Sequence, residues 1–187
     1  MYRREHMFLS RALLLPFSIA LCIAQPAPDS WESLMKQGAA AKKAGEYKKA
    51  DTIYQAGLAA ARKIGPSDTR VASSLVSLAS LYEQAGNHSQ IEILHKLAVA
   101  VEEKGQGKDH PAVAMRLSGL ARYYQNRTRY ADAETMLLRA IAIVEKPGAN
   151  KADLAKTLDQ YAGVLRLVNR PDDAAKVAAR AAALKTR

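Results

Sequence analysis

Apolar residues along this chain recur at the spacing of amphipathic helices. Between Leu75 and Tyr82 they fall three, four, six and seven residues after the first leucine, which places them on one side of a helix. The segment from Ala133 to Val144 has apolar residues four, seven, eight and eleven residues after its first alanine, which is again a helical stripe. The pattern therefore predicts an all-α protein.

The helical pattern repeats with a period of 41 or 42 residues, and the repeats align on the leucines Leu34, Leu75, Leu117 and Leu158. Positions four, sixteen and twenty-three residues after each leucine hold glycine or alanine, with Ile91 as the one exception. These positions are Gly38, Ala79, Ala121, Ala162, Ala50, Ile91, Ala133, Ala174, Gly57, Ala98, Ala140 and Ala181. Because small residues let helix backbones approach closely, we expect these positions to lie where helices cross.

Each repeat is predicted to contain two helices joined by a short turn. Helix-breaking residues separate the two helices at residues 44–46, 85–87, 126–128 and 169–171. Turns that contain Gly, Pro, Asp or Asn separate the repeats at residues 65–68, 105–109 and 147–150. The four predicted repeats therefore span residues 31–67, 68–108, 109–149 and 150–187.

Several helix starts carry their own signals. Asp29, three residues before Glu32, is expected to form a capping box at the first helix. Pro111 and Pro171 are expected at the first position of a helix, where the missing amide proton costs nothing. These signals support the division of the chain into short helices.

The N-terminus has the composition of an export signal. Basic residues in the first eleven positions precede an apolar run over residues 12–24, which ends in small residues. We predict a signal peptide over residues 1–24 and an exposed leader over residues 25–30, which places the mature protein in the periplasm or outside the cell. An uncleaved N-terminal membrane anchor, lipidation of Cys22 and a twin-arginine signal are the alternatives.

Export changes the charge and the cysteine content of the chain. The 187 residues carry a formal charge of +10, and removal of residues 1–24 leaves +8. The single cysteine leaves with the signal, so the mature chain is predicted to contain no disulfide. A basic exported protein suits an acidic partner or the anionic cell envelope. Nucleic acid is not a predicted partner, because aromatic residues are not interleaved with the basic ones.

These repeats resemble the tetratricopeptide repeat, a helix-turn-helix unit that stacks into a right-handed superhelical α-solenoid. The resemblance covers residues 31–187, and the segment 109–124 is similar to the longer repeats of kinesin light chains. The family positions fall on Ala79, Tyr82, Gly86, Ile91, His95 and Ala98 in the second repeat, and on Ala121, Tyr124, Thr128, Ala133, Leu137 and Ala140 in the third. The resemblance implies about four repeats and a scaffold that binds other proteins.

In this family the first helix of each repeat lines a concave groove, so the resemblance also implies where a ligand binds. The charged and polar residues projected onto the groove are Lys42, Glu83, Arg122, Gln125, Lys156, Asp159 and Arg166. We interpret them as a mildly basic channel for an extended acidic or polar peptide, and a solvated helix face without a ligand is the alternative. The asparagine and lysine residues with which some relatives hold a peptide are missing.

The sequence contains no motif of a known enzyme class, zinc site or nucleotide site. We therefore predict a non-catalytic protein with no metal and no cofactor. His88 and His95 lie seven residues apart and would share one helix face. However, His95 takes the position that Tyr54 and Leu137 take in other repeats, which indicates a packed ring rather than a ligand.

The remaining features concern the partners of the protein. The C-terminal helix over residues 171–184 is rich in alanine, so it either stays exposed in a monomer or docks on a second copy as a weak homodimer, or on a larger assembly. Asn87 and Asn126 lie in glycosylation sequons, which matter only in a eukaryotic secreted protein. The predicted partner is a protein or peptide, and an anionic envelope polymer or lipid is the alternative.

Overall fold

The computed structural model describes residues 30–185, and this part of the chain forms eight α-helices and no strand. The helices are α1 (Trp31–Lys43), α2 (Tyr47–Ile64), α3 (Thr69–Gln84), α4 (Ile91–Gln106), α5 (Pro111–Asn126), α6 (Tyr130–Val144), α7 (Lys151–Leu167) and α8 (Pro171–Lys185). The predicted signal peptide, and the leader as far as Asp29, lie outside the described residues. The capping residue of α1 is Ser30 rather than Asp29, because the Ser30 hydroxyl accepts a hydrogen bond from the Ser33 amide at 3.2 Å.

The eight helices form four hairpins that stack in chain order. Within the hairpins α1 packs on α2, α3 on α4, α5 on α6 and α7 on α8. Each of α2, α4 and α6 also packs on the first helix of the next hairpin, and α1 contacts α3 as α5 contacts α7. The arrangement is an all-α solenoid, as the repeat pattern predicts.

The hairpin turns coincide with the predicted helix breakers, and each turn contains one residue with a left-handed backbone. The φ angle is 78° at Gly45, 74° at Gly86, 57° at Thr128 and 58° at Asn169. Glycine adopts this conformation freely, whereas it costs about 1–2 kcal/mol at a β-branched residue such as Thr128. The same turn geometry is nevertheless present in the third and fourth repeats, where Thr128 and Asn169 take the place of glycine.

All twelve positions of the small-residue register are buried. Ala50, Ala133 and Ala140 have no exposed surface, and the exceptional Ile91 is equally buried. The predicted role of these positions in helix contacts is confirmed.

Enlarging one of these alanines should overpack the helix contact. Ala133 is fully buried in a cluster with Leu120, Tyr124 and Val164, so Ala133→Leu is expected to destabilise the protein by about 1–3 kcal/mol. The matched control is Ala142→Leu in the same helix, because Ala142 is exposed. Thermal melting measures both, and equal midpoints for wild type and Ala133→Leu would contradict the packing.

One residue assigned to a turn from the sequence has another role. Gly105 lies within α4, and a Cβ atom there would lie 2.1 Å from the Ser67 carbonyl oxygen, so glycine permits this close approach. The cap of α5 is His110, whose Nδ1 accepts a backbone amide hydrogen bond at 3.2 Å. Asp68 and Asn150 cap α3 and α7, as predicted.

Three hydrogen bonds from tyrosines to carboxylates join successive hairpins. The donors and acceptors are Tyr82 and Asp51 at 2.8 Å, Tyr124 and Glu92 at 3.0 Å, and Tyr161 and Glu134 at 2.9 Å. Each carboxylate lies seventeen residues after the aligning leucine of its repeat. Burial, and secondly the neighbouring carboxylate, raise the pKa of all three tyrosines. These tyrosines are therefore connectors between repeats as well as packing residues.

The outer surface of α8 differs from that of the three preceding even-numbered helices. Ala175 takes the position of the connecting carboxylate, and Ala182 takes a position that is a buried Leu, Val or Ile in the other repeats. Ala182 is exposed. The contacts that hold one hairpin on the next thus have no counterpart on α8.

Candidate ligand-binding cavity

A cavity of about 640 Å³ lies between α5 and α7, on the side formed by the odd-numbered helices. Its wall comes mainly from these two helices, with one residue each of α3 and α6. The lining includes the apolar residues Val76, Ala112, Ala114, Met115 and Val144 and the polar residues Ser118, Thr157 and Gln160. Ligand sites of proteins commonly have this size and this mixture of apolar walls and a few polar groups.

Gly119 of α5 opens the wall of this cavity. A glycine inside a helix costs about 1 kcal/mol relative to alanine. A Cβ atom at this position would meet no atom closer than 3.9 Å, so no packing contact requires the glycine. The equivalent positions of the other repeats hold Lys36, Ser77 and Gln160. The missing side chain therefore leaves space that exists at this repeat in particular.

Two cations line the cavity without a carboxylate partner among the residues that the structure describes. Arg122 of α5 and Lys156 of α7 are both exposed and form no ion pair there. Asp153 is the one carboxylate in the lining. Because a guanidinium offers several hydrogen-bond donors to a carboxylate, these two cations favour an acidic ligand.

A third cation of the lining, Arg116, is already engaged. Its Nε lies 2.9 Å from Oε2 of Glu102, and its Nη2 donates to the Ser73 hydroxyl at 2.9 Å. Glu102 has no exposed surface and also accepts a hydrogen bond from Thr69 at 2.8 Å. This network connects α3, α4 and α5 behind the cavity, so Arg116 supports the wall instead of offering a free charge.

The structure brings three of the groove residues predicted from the sequence to one place. Arg122, Gln125 and Lys156 all line the cavity between α5 and α7. Their convergence follows from the stacking of the third hairpin on the fourth, which places α5 beside α7.

The other four predicted groove residues do not line this cavity. Lys42 donates to the Ser80 hydroxyl at 3.0 Å, and Glu83 accepts a hydrogen bond from the Asn126 amide at 3.2 Å. Asp159 forms an ion pair with Lys185 at 2.6 Å. Arg166 is exposed and has no ion pair within the described part of the chain. Lys42 and Glu83 are therefore engaged in contacts between neighbouring hairpins, whereas Asp159 is engaged within the fourth hairpin, between α7 and α8.

His95 is a packed ring, as predicted. Its exposed fraction is 7%, and its ring centroid lies 5.9 Å from that of Tyr123. Burial is the main cause that lowers the pKa of His95, while Glu83 raises it and Arg122 lowers it further. Burial therefore favours the neutral form of the ring.

Sequence reasoning predicted only Arg122, Gln125 and Lys156 of the lining. Met115, Gly119 and His110 are among the lining residues that it missed. A glycine at the centre of a predicted helix, with no capping role, is the signal that would have indicated the space beside Gly119.

Residues 30–185 contain neither a candidate metal site nor a candidate membrane-spanning helix. No group of three or more His, Cys, Asp or Glu side chains lies close enough to bind a metal ion. No helix in this range combines the length and the apolar character needed to cross a membrane.

Comparisons with known proteins agree on the architecture. The sequence profile of the tetratricopeptide repeat family matches residues 32–104 and 112–187. No curated protein sequence matches significantly.

Two solved structures illustrate the likeness in fold. BtubC (BKLC) from P. vanneervenii has a TM-score of 0.72 and 21% identity, over 83% of this chain and 63% of that chain. A putative kinesin light chain with nearly identical TPR-like repeats from Podosopora anserina has a TM-score of 0.69 and 18% identity, over 87% and 78%. The chain thus spans less than two thirds of the BtubC chain.

Proposed function

Because the chain belongs to the tetratricopeptide repeat family, whose members typically bind protein partners, we propose that it is an exported, non-catalytic adaptor. Its ligand is an extended acidic segment of a partner protein, which lies in the cavity between α5 and α7. The observation that carries this proposal is the position of two cations, Arg122 and Lys156, in the lining beside Gly119, where neither pairs with a carboxylate of the described part of the chain.

The chemistry of the cavity supports an acidic ligand. Arg116 is engaged, and Arg122 and Lys156 form no ion pair with any of residues 30–185, which leaves two cations against the carboxylate of Asp153. The apolar side chain of Met115, which is 63% exposed, offers a surface for the non-polar atoms of the same ligand. Export rests on the N-terminal sequence alone.

Filling the cavity tests the proposal without removing a charge. Gly119→Leu adds a side chain whose Cβ would lie 3.9 Å from the His95 ring and no closer to any other atom, and thermal melting establishes that the variant is folded. The leucine would occupy the space of the ligand, and we expect binding of the captured partner to weaken about tenfold or more, which corresponds to about 1.4 kcal/mol. Gly163→Leu in α7 is the matched control, because it adds the same side chain in open space outside the cavity.

The measurement is capture from the native envelope or secreted fraction, followed by titration of the partner identified. A partner retained by wild type and by Gly163→Leu, and lost with Gly119→Leu and with Arg122→Glu, would support the cavity. Arg166→Glu reverses an exposed cation outside the cavity and should leave capture unchanged. Equal capture by Gly119→Leu and wild type would contradict the assignment.

Two other functions predicted from the sequence are distinguished by the same experiment. A module that binds anionic envelope polymers or lipids would be captured equally in every variant and released by salt, because exposed charges are screened. An accessory subunit that docks through α8 would be insensitive to both the cavity variants and salt. Ala175 and Ala182 offer such a subunit neither the connecting carboxylate nor the large apolar side chain of the other hairpins.

A further inference from the structure

His95 lies beside Gly119, a residue that lines the cavity. A Cβ atom on Gly119 would lie 3.9 Å from both Nδ1 and Cε1 of the His95 ring. Since Gly119 has no side chain, the ring borders the space that a side chain at this position would take. A ligand that occupies the space at Gly119 therefore comes close to a titratable group that contributes nothing to the lining itself.

The charged groups around His95 come from both helices that pack against α4. Glu83 at the end of α3 favours the protonated ring, whereas Arg122 of α5 opposes it. The ring of Tyr123 in α5 lies at a centroid distance of 5.9 Å from the His95 ring and is tilted by 34° to it. Arg122 is thus shared, because the same guanidinium lines the cavity and repels a proton on His95.

Building on the proposed function, we propose that the cavity is a proton-coupled anion site, in which a ligand carboxylate pairs with Arg122 and His95 takes up one proton from solvent. Pairing offsets the positive charge of Arg122, and the carboxylate also attracts the imidazolium directly. The neutral ring and one solvent proton become the imidazolium, so no other reactant is needed. The occupant is a carboxylate-rich chain.

The coupling has a definite sign. Burial and Arg122 lower the pKa of His95 in the free protein, and the bound anion raises it again. The affinity for the anion therefore rises as the pH falls through the pKa of His95 in the complex. The affinity becomes constant once the pH lies below the pKa of His95 in the free protein, which is the lower of the two pKa values. An increase of one pKa unit on binding corresponds to a tenfold gain in affinity at acidic pH.

Fluorescence anisotropy of labelled octa-aspartate with the intact protein, at low ionic strength, measures this effect. Aspartate is the appropriate probe because its ordinary pKa of about 3.9 leaves it charged at both pH values, about 7.5 and about 5.5. We expect the affinity of wild type to rise about three- to tenfold on acidification. His95→Phe gives the second repeat an aromatic ring at the position that Tyr54 takes in the first repeat. In this variant the affinity should be independent of pH.

A second histidine requires a control. His110 also lines the cavity, and His110→Asn keeps a side-chain acceptor for the cap of α5 while it removes the imidazole. The pH dependence should persist in this variant. Proton NMR of the His95 Cε1–H signal provides an independent readout, because its pKa should rise when the probe saturates the protein. Thermal melting verifies that His95→Phe is folded.

The outcomes separate this inference from the proposed function. If octa-aspartate binds at neither pH, the acidic-ligand function fails and the coupling fails with it. If the probe binds with equal affinity at both pH values, only the proton coupling is overturned. A pH dependence that survives in His95→Phe and disappears in His110→Asn would likewise overturn it, and would assign the proton to the lining histidine.

Discussion

Replacement of Glu102 by alanine is expected to destabilise the protein by about 3–5 kcal/mol. The Glu102 side chain is completely buried and pairs with Arg116, which is itself only 14% exposed. Removal of the carboxylate would leave the guanidinium without a compensating charge at the contact of α3, α4 and α5. The Thr69 hydroxyl would lose its acceptor as well. Urea unfolding measures the loss.

The reason for this large effect is testable with two further variants. In Glu102→Leu combined with Arg116→Met, neither charge remains, so most of the stability should return, since apolar residues often replace a buried ion pair without loss. Glu46→Ala disrupts a pair with Lys49 in which both side chains are exposed, and should cost less than about 1 kcal/mol. If Glu102→Ala costs no more than Glu46→Ala, the buried network does not stabilise the fold.

Gly38→Ala is the second substitution with a large expected effect, about 1–3 kcal/mol of destabilisation. A Cβ atom at Gly38 would lie 2.6 Å from two carbons of the Tyr54 ring. Tyr54 is 2% exposed, so its ring can yield to the new atom only if the surrounding core shifts as well. The same substitution inside an unconstrained helix stabilises a protein by about 0.5–1 kcal/mol. A loss of stability in Gly38→Ala would therefore by itself indicate the close contact with Tyr54.

The third repeat suggests how to rescue this variant. There the two equivalent positions hold Ala121 and Leu137, and both are fully buried. Gly38→Ala combined with Tyr54→Leu recreates this pair and should recover stability relative to Gly38→Ala alone. Thermal melting of the two single variants and the double variant forms the cycle. Strictly additive losses would mean that Gly38 and Tyr54 do not contact each other.

The sequence predicted the local structure well because its signals are local and repeated. Helix breakers at residues 44–46 and 85–87, and prolines at Pro111 and Pro171, act on neighbouring backbone and need no knowledge of the fold. The predicted proline positions are the first residues of α5 and α8. The cap of α1 was placed one residue too early, at Asp29 instead of Ser30, because both residue types cap helices well.

The groove was predicted less completely, because side-chain partners depend on distances across repeats. Projection onto the repeat placed Lys42 and Glu83 on the ligand side, but each forms a hydrogen bond with a residue 38 or 43 positions away. Repeat register specifies the face of a helix on which a residue lies. It does not specify which polar group of the adjacent hairpin is within reach.

The sequence by itself determined the helices, the four hairpins and the small residues of their contacts, since these follow from periodicity and residue size within about 40 residues of chain. Only the tertiary structure decided where a ligand has room. The stacking of α5 beside α7 creates the cavity, the buried Glu102 engages Arg116, and the glycine at position 119 leaves space beside the His95 ring. Each of these depends on atoms from different helices meeting in space, and periodicity carries no information about such distances.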